Sequence, residues 1–206
     1  MVATGRAKHM AGWSNISGLE PKDFVCGHCG RDVSPNLGYV DSKRGRSIYV
    51  CHRCGKPNYF DHEDQVPGAL FGGEVNDIPD EAKDVGSLYD EARQCASVNA
   101  YTAAVLCCRK LLMNVAVSKG ADEGQTFAAY VSFLSDKNFV PPDAKEWVDH
   151  IRKVGNIATH EIQIMDRDIA EELITFSEML LKIIYEFPAI ASRRKGPAAE
   201  PEVSGE

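Results

Sequence analysis

No charge-free apolar stretch in this 206-residue chain is long enough for a bilayer span, and the first residues, MVATGRAKHM, lack the hydrophobic run of a signal peptide. The expectation is a protein with no membrane contact and a cytoplasmic location. Also missing are a phosphate-cradling glycine loop with its lysine, a GxSxG elbow, an HExxH helix and any internal repeat. P-loop, α/β-hydrolase and zincin chemistry therefore have nothing to stand on. Seven cysteines are present, but their placement argues against a disulfide framework. Four sit in two CxxC pairs, and Cys95, Cys107 and Cys108 fall in helical patterns as small apolar fillers, which suits a reducing compartment.

The two pairs, Cys26-Gly-His-Cys29-Gly and Cys51-His-Arg-Cys54-Gly, have 21 residues between them. Each CxxC turns two thiolates onto one cation, and the glycine after the second cysteine relieves the backbone where its amides face sulfur. Cys26, Cys29, Cys51 and Cys54 together fill a tetrahedron, which predicts one Zn2+ with no open coordination position and hence a structural role. His28 and His52 lie inside the knuckles, either as exposed spacers or as replacement ligands. A thioredoxin-like reading would need a βαβ pattern beside one CxxC, and none is there.

Charge divides the chain. Residues 22–58 carry seven basic and three acidic side chains, a net +4, whereas the residues from 67 onward carry 14 basic and 23 acidic, a net −9. An acidic body repels a phosphate backbone, so any nucleic-acid contact is expected at the basic tip formed by Lys43, Arg44 and Arg46, with Tyr39, Tyr49, Tyr59 and Phe60 nearby. An exposed basic hairpin tip is also an ordinary solvated turn.

The fold expected is α+β: a flexible arm over 1–20, a zinc ribbon over 21–65, a linker over 66–79, a helical bundle over 80–188 and a disordered tail over 189–206. Strand chemistry marks Leu37 to Val40 and Arg46 to Val50, joined by an Asp41 to Gly45 turn, with a third strand at Asn58 to Asp61. Asp61-His62-Glu63-Asp64 is taken as a solvated loop. Helical spacing of apolar residues then predicts five helices: from Pro79 to near Asn99, Tyr101 to Gly120, Gln125 to Lys137, a fourth started by Pro141-Pro142-Asp143, and a fifth capped by Asp166 or Asp168 and ended by Pro188. In the fourth, Arg152, Asn156 and His160 recur every four residues as one polar stripe, spanning about 12 Å at the helical rise. Such a stripe suits an anion only if the helix bends at Gly155 or a second subunit completes it. A histidine near a helix C-terminus also serves simply to favour the dipole.

Leu-Tyr-Asp-Glu-Ala-Arg-Gln-Cys from Leu88, Ala-Ala-Val-Leu-Cys-Cys-Arg-Lys-Leu-Leu from Ala103 and Ile-Arg-Lys-Val-Gly-Asn-Ile-Ala-Thr-His-Glu from Ile151 resemble the domain-of-unknown-function family 4145, over roughly residues 80 to 188. The resemblance implies a HEPN-like helical bundle, with a zinc ribbon as a frequent companion and a bacterial or phage-associated defence setting. Active HEPN domains are metal-independent RNases that dimerise and place an arginine and a histidine, separated by four to six residues, at a shared cleft. Here Arg152 is separated from His160 by seven residues, and Gly155 stands where a properly spaced arginine would. The leading expectation is therefore an accessory module that binds nucleic acid, RNA or DNA, or a protein partner in a defence system, and is no enzyme. Two alternatives stand beside it. One is an endoribonuclease with His160 as acid or base, Asn156 orienting the scissile group and Arg152 or Arg109 at phosphate. The other is a structural subunit, a homodimer through the bundle. Arg109 has a plainer role too, an ion pair with Glu91 or Asp90.

Overall fold

The computed structural model describes the backbone of residues 12–160 and 164–195, and side chains in that range except at 142, 145, 154–160 and 195. The α+β architecture expected from the sequence is observed: antiparallel strands come first and helices follow.

The ribbon is a five-stranded antiparallel sheet in the order β1(Ser17–Gly18), β4(Leu37–Asp41), β5(Arg46–Val50), β6(Pro57–Asp61), β7(Asp64–Val66), with β2(Phe24–Val25) and β3(Asp32–Val33) paired separately. The β4–β5 hairpin turns at Gly45, whose φ of +66° is cheap for glycine. Its register sets Tyr39 opposite Ile48 and Gly38 opposite Tyr49. Because side chains alternate across a sheet, this register sorts the aromatics. Tyr49 and Phe60 go inward and meet edge to face at 5.9 Å, with Phe24 5.0 Å from Phe60. Tyr39 and Tyr59 lie in line with Ile48 on the other face.

Three features refine or depart from the sequence expectation. Strand β7 and the β2–β3 pair are additional, being too short to carry an alternating pattern. Asp61 to Asp64, expected as a solvated loop, is the tight turn between β6 and β7, with His62 at φ +56° and its amide donating to the Gly45 carbonyl at 3.1 Å. The arm expected over 1–20, flexible unless Trp13 and Ile16 dock on the ribbon, is docked from residue 12 on. Trp13 Nε1 donates to the Gly55 carbonyl at 2.9 Å, its ring lies 6.3 Å from that of Tyr39, and β1 extends the sheet.

The bundle comprises α1(Lys83–Ser97), α2(Tyr101–Ser118), α3(Phe127–Asp136), α4(Lys145–His160), α5(Arg167–Leu181) and α6(Phe187–Lys195). Local chemistry explains the boundaries. Asn99 and Gly120 take positive φ after α1 and α2, Thr126 caps α3 by accepting the Ala129 amide, and Asp166 caps α5 by accepting the Ile169 amide at 3.0 Å. Helix α2 is central, burying Val105, Cys108, Leu111, Leu112 and Val115 completely. By length and composition it is apolar enough to cross a membrane, which the sequence reading had denied for every stretch, yet its apolar side is spent on α1, α3, α4 and α5.

Pro188 does not end the last helix, as expected, and the tail is helical to Lys195. A π turn over Lys182–Glu186 precedes the proline, and the wider turn accommodates a residue with no amide to donate. Arg193, on the helix so extended, is bidentate on Asp77.

The glycine- and proline-rich segment that follows β7 runs as a strap tied at both sides. Gly68 donates to the Ser97 carbonyl at 2.6 Å, Gly73 to Glu178 Oε2 at 2.8 Å and Asn76 to Glu186 Oε2 at 2.7 Å, while Tyr89 Oη donates to the Gly73 carbonyl at 3.0 Å. Buried Arg93 donates through Nε to the Phe71 carbonyl at 2.9 Å and through Nη2 to that of Gly72 at 2.6 Å. A side chain at Gly27 would strike the carbonyls of Pro67 and Gly68, so the first knuckle sits directly on the strap.

Candidate metal centre and helical site

Each knuckle is a tight turn closed by its own backbone. Gly30 donates to the Cys26 carbonyl at 2.9 Å and Gly55 to the Cys51 carbonyl at 2.8 Å, with φ of +62° and +72° at the two glycines. This geometry brings amides onto sulfur: His28 N lies 3.5 Å from Cys26 Sγ and Arg53 N 3.4 Å from Cys51 Sγ. All four Sγ atoms of Cys26, Cys29, Cys51 and Cys54 lie within 4.8 Å of one another, so the cluster can hold a metal ion. The Cys26 to Cys54 and Cys29 to Cys51 separations are 3.8 Å and 3.9 Å. A tetrahedron with zinc–sulfur bonds of about 2.3 Å has an edge of about 3.8 Å, so the spacing fits that donor set.

The thiols differ electrostatically. Burial pushes Cys26 up, but hydrogen bonds from the His28 and Cys29 amides and from Asn58 outweigh it and hold the thiol below its ordinary value. Burial pushes Cys29 and Cys54 up. Asn58 is a residue the sequence reading passed over except as the start of a strand. Fully buried, it accepts from the Gly27 amide at 3.0 Å and donates toward Cys26 Sγ at 3.5 Å, and Gln65, which donates to the Val25 carbonyl at 2.8 Å, also reaches its Oδ1. An asparagine in an otherwise aromatic strand register was the available signal, since a buried amide needs partners. Of the knuckle histidines, His28 Nε2 pairs with the Pro57 carbonyl at 2.8 Å, which makes it a strut rather than a ligand.

The expected basic tip is more mixed than its sequence. Arg46 is paired with Asp61 at 3.3 Å, and Glu63, on the β6–β7 turn, is paired with Lys22 at 3.0 Å. Over 22–66 the ribbon carries seven basic and six acidic residues, a net +1. Lys43 and Arg44 remain exposed in the turn, with no ion pair among the described residues. The aromatics expected near the tip separate into Tyr49 and Phe60 in the core and half-buried Tyr39 and Tyr59 outside.

In the bundle, α4 is helical through Gly155 to His160, but the side chains of Asn156 and His160 lie outside the described residues. Arg152 is turned onto its own helix, donating to Asp149 Oδ1 at 3.0 Å. The ion pair expected between Arg109 and Glu91 or Asp90 is not made among the described residues. Asp90 takes Arg93 instead, one turn away on the same helix at 3.2 Å, and the Arg109 guanidinium stacks 4.4 Å over the Phe127 ring. A cleft of about 750 Å³ lies between β7, the strap and the start of α5, with Gln65, Ala69, Asn99, Arg167 and Glu171 in its walls. None of the sequence-predicted site residues lines it.

Residues 90–195 match the family model described as Domain of unknown function (DUF4145). No curated protein and no solved structure matches the chain.

Proposed function

We propose, from the premise that the chain belongs to the family DUF4145, that it is a non-enzymatic binding module: a zinc-stapled ribbon presenting its hairpin tip to nucleic acid, carried on an acidic helical bundle. The observation that carries this reading is the exposed, unpaired Lys43–Arg44 turn at the end of a sheet whose other end is fixed by four thiolates. Such a tip meets phosphate without ordering cost in the backbone, and the net −9 of the residues from 67 onward confines the contact to it. Zinc is the metal the donor set suits, since four thiolates leave no site for substrate. A bacterial or phage defence setting belongs to the same proposal, as does a homodimer through the bundle. Exposed Leu106 and Ile164 support the dimer, and the Met165 amide, donating to Thr102 Oγ1 at 3.0 Å, ties the segment that carries Ile164 to α2.

The test is fluorescence anisotropy of labelled RNA and DNA with zinc-loaded protein. Charge reversal at Lys43 and Arg44 together is expected to weaken binding more than about tenfold and to lower the salt slope by about 2, whereas reversal at Arg46, already neutralised by Asp61, costs about threefold or less. Affinity indifferent to the Lys43 and Arg44 reversals removes the tip from the function.

A further inference from the structure

Helix α3 begins with an unusual concentration of positive potential. Phe127 is its first residue, Thr126 satisfies the Ala129 amide, and no acidic residue occupies the first turn to offset the helix dipole. Side chains lean toward the N-terminus of their helix, so the Phe127 ring marks this end, and the Arg109 guanidinium lies 4.4 Å above it. Arg109 is 7 % exposed, its Nη1 has no hydrogen-bond partner, and no carboxylate pairs with it among the described residues. Asp122 and Glu123, in the preceding loop, are exposed and make no ion pair with it. Burial alone pulls this guanidinium below its ordinary value.

A buried cation is costly unless something compensates it, and a ring quadrupole returns only part of that cost. A second positive end beside it makes the cost larger. We propose that the start of α3 and Arg109 form an oxyanion site of the phosphate class, in which the bound anion accepts from Nη1 and from the open amides of Phe127 and Ala128. The anion supplies the counter-charge that the chain omits. The site is separate from the ribbon tip and does not depend on it.

The experiment is thermal unfolding of full-length, metal-loaded protein in potassium chloride, in potassium phosphate and with a 5′-phosphorylated dinucleotide, at matched ionic strength. A saturable rise in Tm of about 5 °C is expected near a hundredfold excess over Kd, with phosphate if the free ion is the ligand, or with the dinucleotide alone if a strand terminus is. Arg109→Met is expected to lose that rise while being at least as stable as the parent in chloride. Arg109→Lys, keeping charge without the planar fork, is expected to bind about tenfold more weakly. The Lys43→Glu, Arg44→Glu protein is expected to keep the full rise. Absence of a rise with either anion, a rise retained in Arg109→Met, or a rise lost on reversing the ribbon tip overturns the proposal. Should the Met variant not fold, broadening of the phosphate 31P signal by the parent protein but not by Arg109→Lys decides in its favour, and equal broadening decides against it.

Discussion

Ribbon and bundle solve the same problem by opposite means. Among the described residues the bundle buries a cluster of 27 from α1 to the π turn before α6, so its stability is spread over many contacts of similar size. Among the described residues the buried cluster around the ribbon's knuckles is Cys26, Val33 and Cys51, and the sheet adds Tyr49, Val50 and Phe60. That is too little apolar area for independent folding at this size. Concentrated stability fails all at once, whereas distributed stability fails by degrees. The strap between the two belongs to neither regime: it has almost no core of its own and is held by polar bonds to backbone carbonyls and amides.

The sharpest way to break this contrast is to remove the metal. Chelation, or Cys51→Ser, is expected to unfold the ribbon, because metal binding to a four-thiolate site is worth on the order of 10 kcal/mol and is the folding energy of such modules. The bundle is expected to keep its helical circular dichroism and a cooperative melt. Loss of both signals together would show that the ribbon is part of the bundle's cooperative unit. Asn58→Leu sharpens the same test, since it strips the Gly27 amide and Cys26 sulfur of their partner and is expected to weaken metal affinity by about 10–100-fold without unfolding α1 to α6.

Next in size is the strap. Arg93→Met leaves the Phe71 and Gly72 carbonyls without their donors and is expected to cost about 3 kcal/mol. The measurement is limited proteolysis: cleavage over 67–76 is expected to rise while ribbon and bundle each stay resistant. A smaller effect belongs to Glu178, which accepts from the Gly73 amide at 2.8 Å and from Lys182. Burial pushes its carboxyl up, but those two donors outweigh it and hold the value below the ordinary 4.5. A depressed carboxylate contributes stability that is complete above its unfolded value and fades as pH falls through the folded one. The parent protein is therefore expected to lose more stability than Glu178→Gln on acidification through the carboxylate range, and to be the more stable of the two at pH 7. Identical acid profiles would show that the strap is not held there.

How legible this was in the sequence follows from the range of each interaction. The knuckles, the β4–β5 hairpin and the helices were readable because their signals are local: CxxC with a following glycine, alternation broken by Asp41 to Gly45, and apolar periods of three and four. Arg93, Asn58 and Glu178 were not, because each is polar, sits in an ordinary position of its own element, and acquires its role from backbone carbonyls, amides or a sulfur far along the chain. The pairing of Arg46 was hidden for the same reason, its partner Asp61 being a neighbour only through the β5–β6 register. Pro188 failed as a stop signal because the π turn before it changed what the proline had to satisfy.

The smallest effect tests the distributed side of the comparison. Asp166 Oδ1 accepts the Ile169 amide at 3.0 Å and starts α5, whose Leu173, Ile174, Phe176, Leu180 and Leu181 are all completely buried. Removing the cap exposes one amide to solvent and subtracts one favourable charge from the helix start, while leaving every one of those contacts intact. Asp166→Ala is therefore expected to cost about 1 kcal/mol, lowering Tm by about 2–4 °C in a chain of this size, with metal content and oligonucleotide affinity unchanged. A much larger drop would mean that α5 nucleates the bundle, and that its stability is as concentrated as the ribbon's.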